Sequence, residues 1–207
     1  MLDTPSAVDE ILTPCASLEA LLTASSALHH HLCPRQVLGV RMGLYAGQIL
    51  GLAVPQSDKR LLAIVETDGC AADGIAVAAG CWVGRRTLRI EDYGKVAATF
   101  VDTLTGRAVR LVPQPSAREA AADYAPEARG KWQAMLLGYQ RIPAEALLAA
   151  QPVKLKTSIE HIVSHAGYRT TCEQCGEEIL NEREVTHAGR VLCRACAGDA
   201  YYTSVEE

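Results

Sequence analysis

Two sets of side chains in this sequence have the types and spacing for metal chemistry. Near the C-terminus, Cys172-Glu-Gln-Cys175 is followed, seventeen residues later, by Cys193-Arg-Ala-Cys196. A CxxC turn aims two sulfurs at one ion, and two such turns complete a tetrahedron of thiolates. Gly176 permits the tight knuckle after the first pair. Four sulfurs leave no coordination position open, so the expectation is a structural zinc rather than a catalytic one. Iron also suits four thiolates. A redox dithiol pair is the weaker option, because the two pairs match one another. A module this small has too little core to fold alone, and a bound metal supplies the missing free energy.

The second set lies in the first half of the chain. In His29-His30-His31-Leu32-Cys33-Pro34, side chains two apart share a face of an extended segment, which points His29, His31 and Cys33 the same way. Imidazole and thiolate are preferred ligands of zinc and its neighbours. Cys33 stands just before a helix start at Pro34, where unpaired backbone N–H groups favour a thiolate. Cys70 and Asp73 follow in Thr67-Asp-Gly-Cys70-Ala-Ala-Asp73, and Cys81 lies eight residues beyond Asp73. Cys70 and Asp73 share a face if a helix begins there, which could carry a sulfur and a carboxylate to an ion held by the first cluster. That ion is expected to be zinc or another transition metal. The competing reading makes the three histidines a solvated surface run and the cysteines small hydrophobes. Cys15 has no polar company and is expected to be inert.

The positioning elements follow from periodicity and punctuation. Ser17–Leu28 reads as an amphipathic helix, and a second helix runs from Pro34, tolerated in a first turn, to about Leu52. Glycines at 39, 43, 47 and 51 form a flat stripe suited to close packing against another element; Arg41 and Gln48 interrupt the apolar character that a membrane pairing motif needs. Leu61–Glu66 reads as a buried strand, followed by a turn-rich stretch and a short helix through Ala79. Thr87–Glu91, Val96–Asp102 and Ala108–Val112 read as strands, with Thr105-Gly106 as a hairpin turn. Three strands in succession favour an antiparallel meander. With helices gathered in front, the fold class is α+β: an antiparallel sheet flanked by helices, plus a small C-terminal zinc ribbon or treble-clef module. Residues 114–150 are alanine-rich and helical in pattern, broken at Pro126 and Pro143. Val153–Thr157 suggests a short strand and Ser158–Ser164 a helical turn. The expected division is a core over 1–166, with a helical extension over 114–166, and a finger over 167–207. Within the finger, a small hairpin delivers the second cysteine pair and Cys193–Tyr201 opens a terminal helix.

Composition narrows the classes. The 207 residues are 49% hydrophobic and 21% charged, enough for a real core. A net charge of −4 argues against a nucleic-acid partner held by phosphate neutralisation, and 5% aromatic content argues against base-stacking platforms. No apolar stretch reaches the ~20 residues of a membrane helix. Met1–Asp9 has acids and a proline where a signal peptide carries a basic region and an apolar run. The expected location is the cytoplasm, where eight cysteines point to metal or thiol chemistry rather than to disulfides.

The order of several motifs resembles the FmdE-like family, proteins associated with formylmethanofuran dehydrogenase. They are His29-x-His31-Leu32-Cys33-Pro34 with Gly39, Ala63-Ile64-Val65-Glu66 leading to Cys70-x-x-Asp73, Gly80-Cys81-x-x-Gly84, Asp92-Tyr93-Gly94-Lys95, and Val109-Arg110. The tail, Cys172–Tyr202, resembles the DksA/TraR-type zinc finger that often ends members of this family. The resemblance implies an α+β core with an antiparallel sheet, a homodimer and a metal-binding cavity. It places the histidine-cysteine motif on His29, His31 and Cys33, and the Cys-x-x-Asp motif on Cys70 and Asp73, with Cys81 and Lys95 in the following motifs. This chain has His30 and Arg35 where the family commonly has glycine, and Arg35 sets a fixed positive charge near the expected pocket. The family name comes from association with a molybdenum or tungsten enzyme whose redox chemistry belongs to its other components, and ferredoxin-like cysteine spacing is absent here.

Three functions compete. The favoured one is metal binding without turnover, as a metal carrier or an accessory to a metalloenzyme partner. The second is a metal-dependent hydrolase or lyase. In it His31, Cys33 and Cys70 leave a fourth position open, Asp73 acts as base, and Lys95 or Arg35 stabilises developing negative charge. The third is an adaptor in which the finger docks a partner.

Overall fold

The computed structural model describes residues 16–205; Cys15 and the first nine residues lie outside them. The chain divides into two compact units, Met1–Leu155 and Lys156–Glu207.

In the first unit, α1 (Leu18–His29) starts at Ser17, whose hydroxyl accepts from the Ala20 N–H, and stops at His30 in the left-handed conformation. Helix α2 (Pro34–Leu50) follows directly. Cys33 is its N-cap residue, Pro34 opens its first turn and Gly51 closes it at φ 71°. Strand β1 (Leu61–Val65) leads into α3 (Cys70–Ala79), and then come β2 (Leu88–Ile90), β3 (Ala98–Asp102) and β4 (Ala108–Pro113). Two short helices, α4 (Ala117–Ala120) and α6 (Ala144–Leu147), flank α5 (Lys131–Arg141), and β5 (Leu148–Val153) completes a sheet of order β2-β1-β3-β4-β5.

Most neighbours in the sheet are antiparallel, as the meander expectation requires: Val65 pairs with Ala98, Phe100 with Val109, and Leu111 with Ala150. The exception is β2, which runs parallel to β1 with Ala63 opposite Leu88. The physical reason is α3. A helix between two strands carries the chain back to the starting edge, so β2 returns beside β1 instead of extending the meander. Alternate residues of the sheet, among them Leu61, Ala63, Val65, Phe100, Val109 and Leu111, join the core shared with the helices.

The glycine stripe does what flatness allows. A Cβ on Gly39 would lie 2.2 Å from the Ala71 carbonyl oxygen, and one on Gly74 would lie 2.4 Å from the Gln36 carbonyl oxygen. Helices α2 and α3 therefore meet backbone to backbone. Gly43 faces Ala78 and Gly47 faces Val54, whereas Gly51 serves as the helix stop.

The alanine-rich stretch corrects the helical expectation for 114–150. Only α5 is a long helix there. Residues 148–153 are a strand, because pairing with β4 outweighs alanine's preference for helix, and Pro152 is tolerated on an edge strand.

The second unit holds α7 (Ile159–Val163), an antiparallel pair β6 (Arg169–Thr171) and β7 (Glu178–Leu180), and a second pair β8 (Val185–His187) and β9 (Arg190–Leu192). The expected terminal helix is a single wide turn, Ala195–Asp199, broken by Gly198 at φ 98°. The buried core of this unit is Cys172, Ile179 and Leu192.

Candidate functional site

The tail cysteines converge. Cys172 and Cys175 flank the turn between β6 and β7, where Gly176 adopts φ 76° and its N–H donates to the Cys172 carbonyl. Cys193 directly follows β9, and Cys196 sits in the wide turn. The four sulfurs all lie within 4.8 Å of one another, the one such group of three or more potential ligands among the described residues. Cys175 and Cys193 are 4.0 Å apart at sulfur, close to the ~3.8 Å edge of a tetrahedron with 2.3 Å metal–sulfur bonds. Backbone N–H groups point at the sulfurs, from Cys193 to Cys172 at 3.3 Å and from Cys196 to Cys193 at 3.4 Å. Backbone donors, the Cys175 N–H foremost, hold the Cys172 thiol down at about 6, whereas the neighbouring Cys193 thiol and then burial push Cys196 up to about 12. Without an ion the thiols compete for charge; an ion deprotonates coordinating thiols outright. The donor set fits a divalent metal.

The first unit arranges its candidates as two pairs. His29 ends α1, and the left-handed turn at His30 folds the next residue back, so the His29 and His31 rings lie 4.7 Å apart. His29 Nδ1 is 2.7 Å from Asp73 Oδ2, an acid in the first turn of α3. An ionised carboxylate only accepts, so Nδ1 is the nitrogen that donates to Asp73, and in the neutral ring that tautomer leaves the lone pair on Nε2. Asp73 thus orients the imidazole, the usual second partner of a metal-binding histidine.

The other pair is Cys33 and Cys70. Cys33 precedes α2, its N–H held by Gln36 Oε1 at 2.8 Å, while the Gln36 amide donates to Ser25 on α1. Cys70 opens α3. The close approach of α2 and α3 brings the two thiols near enough to interact; burial first, then the Cys33 thiol, raises the Cys70 pKa, and Arg35 opposes the rise. Cys81 is not with them. Its sulfur is fully buried, donates to the Leu61 carbonyl at 3.2 Å, and is pushed up to about 12 by burial. It is a core side chain.

Cys33 and Cys70 line a cavity of about 700 Å³. Of the residues considered for catalysis, Arg35 lines it; Asp73 is engaged with His29, and Lys95 stays outside the lining on a loop whose N–H groups bond the Glu66 carbonyl. The far wall comes from the alanine-rich region: Arg118, Trp132, Met135 and Tyr139. These were missed from sequence, although Trp132, Met135 and Tyr139 stand at i, i+3 and i+7, the spacing of one helical face. Arg41, from within the glycine-rich α2, secures this wall. Its guanidinium donates to the carbonyls of Tyr139 (2.7 Å), Gln140 (3.0 Å) and Ile142 (2.7 Å) at the end of α5. Burial lowers its pKa, against the pull of Glu145.

The FmdE family model, described as "Molybdenum formylmethanofuran dehydrogenase operon", matches residues 28–184. A probable S-adenosyl-L-methionine-binding protein of Archaeoglobus fulgidus is 28% identical over 218 aligned residues, covering 93% of this chain but 56% of that protein. The chain thus spans about half the length of this relative. The crystal structure of an FmdE-like protein of the tungsten formylmethanofuran dehydrogenase type, from Syntrophus aciditrophicus, superposes with a TM-score of 0.60 at 22% identity, covering 93% of this chain and all of that one. The match extends the shared fold over nearly the whole chain.

Proposed function

The chain belongs to the FmdE family, and from that premise we propose a metal-binding protein with two separate centres, serving a metalloenzyme as accessory or metal carrier. The tail centre is a structural zinc held by Cys172, Cys175, Cys193 and Cys196. The core centre takes zinc or another transition metal on Cys33 and Cys70, with His29 proposed as its imidazole ligand. The proposal includes self-association as a homodimer and a cytoplasmic setting.

The observation that supports this reading is that two thiols from distant segments interact and line one cavity, while Asp73, one turn along α3 from Cys70, orients His29. Loading such a pair requires both sulfurs to give up protons. At Cys70 burial opposes that loss, whereas the charge of Arg35 favours it. A pair of sulfurs with incomplete further ligation suits an ion that is to be handed on, unlike the closed tail set.

The test is elemental analysis of the full chain with Cys33→Ser and, separately, Cys175→Ser. Each substitution is expected to remove one metal equivalent and leave the other. Unchanged metal content in Cys33→Ser would refute the core centre. Retention of the core ion against a competing chelator would count against a carrier.

Catalysis at the core ion is the second reading, favoured by the room the cavity leaves above the thiols. It requires turnover of a hydrolase or lyase substrate that disappears in Cys33→Ser. S-adenosyl-L-methionine, named for the Archaeoglobus relative, belongs among the ligands to be titrated.

A further inference from the structure

The cavity is far larger than an ion needs. Its volume of about 700 Å³ falls within the ~300–1,000 Å³ of small-molecule sites. Its lining is aromatic and cationic together. Trp132 is 54% exposed at the rim while Tyr139, on the same helix, is buried. An exposed indole with a thioether beside it, Met135, offers a surface suited to the face of a flat ring. Two guanidinium groups also line it. Arg35 is exposed and has no hydrogen bond or ion pair among the described residues. Arg118 reaches the Tyr139 hydroxyl and has no carboxylate partner among the described residues. Glu119 is the one carboxylate in the lining, and the starts of α2 and α3 add further positive potential.

We infer that this cavity binds a small organic anion built on a flat unsaturated ring, with the ring against Trp132 and the anionic group between Arg35 and Arg118. Guanidinium groups without acidic partners match a planar carboxylate in shape and charge. The thiol pair then lies beneath the bound molecule. The inference goes beyond the metal reading and stands without it, because none of these contacts requires an ion.

Two probes separate the parts: 2-naphthoate and its neutral analogue 2-naphthamide, each titrated into the full chain by isothermal calorimetry. The carboxylate is expected to bind on the order of tenfold more tightly than the amide. Arg35→Gln removes most of that difference and leaves the amide unchanged; with no structural partner lost, its melting temperature stays at the wild-type value. Trp132→Ala weakens both probes by roughly tenfold. Equal affinity for the two probes, an Arg35→Gln variant that retains the preference, or no binding of either probe at millimolar concentration would overturn the proposal. Binding that none of the variants alters marks an adventitious additive only and overturns it equally. The titration repeated on Cys33→Ser separates the two ideas: an intact preference there keeps the anion site even if the metal analysis fails.

Discussion

The two candidate centres are built on opposite principles. In the tail, four sulfurs meet in a unit whose buried core is three residues, one of them a ligand itself. In the first unit, two thiols and a histidine–aspartate pair sit on helix ends beside a core that runs through six helices and five strands. In a unit with so small a core, a metal on the four converged sulfurs would be part of what holds it together. The core candidates are placed by the packing of the helices that carry them, which requires no ion.

The sharpest way to break this contrast is to remove the tail metal. Cys175→Ser, or a strong chelator, is expected to abolish the amide dispersion of residues 169–192 in NMR spectra while signals of the first unit persist. A tail that stays folded without metal would erase the distinction. The next largest effect strikes the helix contact that sets the thiol gap. Gly39→Ala should destabilise the first unit by about 2–3 kcal/mol in urea denaturation, because the Ala71 carbonyl at 2.2 Å cannot move aside. Helix propensity alone predicts a gain of about 1 kcal/mol, so the sign of the change decides.

Smaller effects come from the ion pairs of the sheet. Asp102 is buried, accepts from Arg60 at 2.9 and 2.8 Å, and also caps the turn through Leu104 and Thr105. Asp102→Asn should cost about 2 kcal/mol. Arg60 beside Asp102 and Arg110 beside Glu66 hold both carboxyls below their ordinary values of 3.8 and 4.5. Their stabilisation is complete above about pH 4.5 and is lost as the pH falls through the lowered folded values. Acid titration followed by circular dichroism should therefore show the first unit weakening only below that range. The smallest expected change sharpens the contrast from the other side. Cys33→Ser should shift stability by no more than about 1 kcal/mol while removing the proposed core ion, the reverse of what Cys175→Ser does to its unit.

Legibility from sequence divided along similar lines. The tail was readable because its ligands are local: CxxC turns and short hairpins fix the geometry within a few residues. The helix starts were readable for the same reason, through Ser17 and Pro34, whereas Gly51, read as part of the packing stripe, proves to be the stop. The motifs around Cys33 and Cys70 were visible, but that both line one cavity while Cys81 turns into the core depends on how α2 and α3 pack, which spacing along the chain does not encode. The parallel placement of β2 and the cavity wall on α5 were hidden too. Both arise from pairing between segments far apart in the chain, such as Arg41 with the end of α5.

The bare contact between α2 and α3 has one more consequence. Where main chain rests on main chain there are no rotamers to choose again, so the spacing of the two sulfurs cannot be retuned by repacking side chains nearby. The pair behaves as a fixed gauge: drift elsewhere in the protein leaves its span alone, and that span is written in two glycines, Gly39 and Gly74.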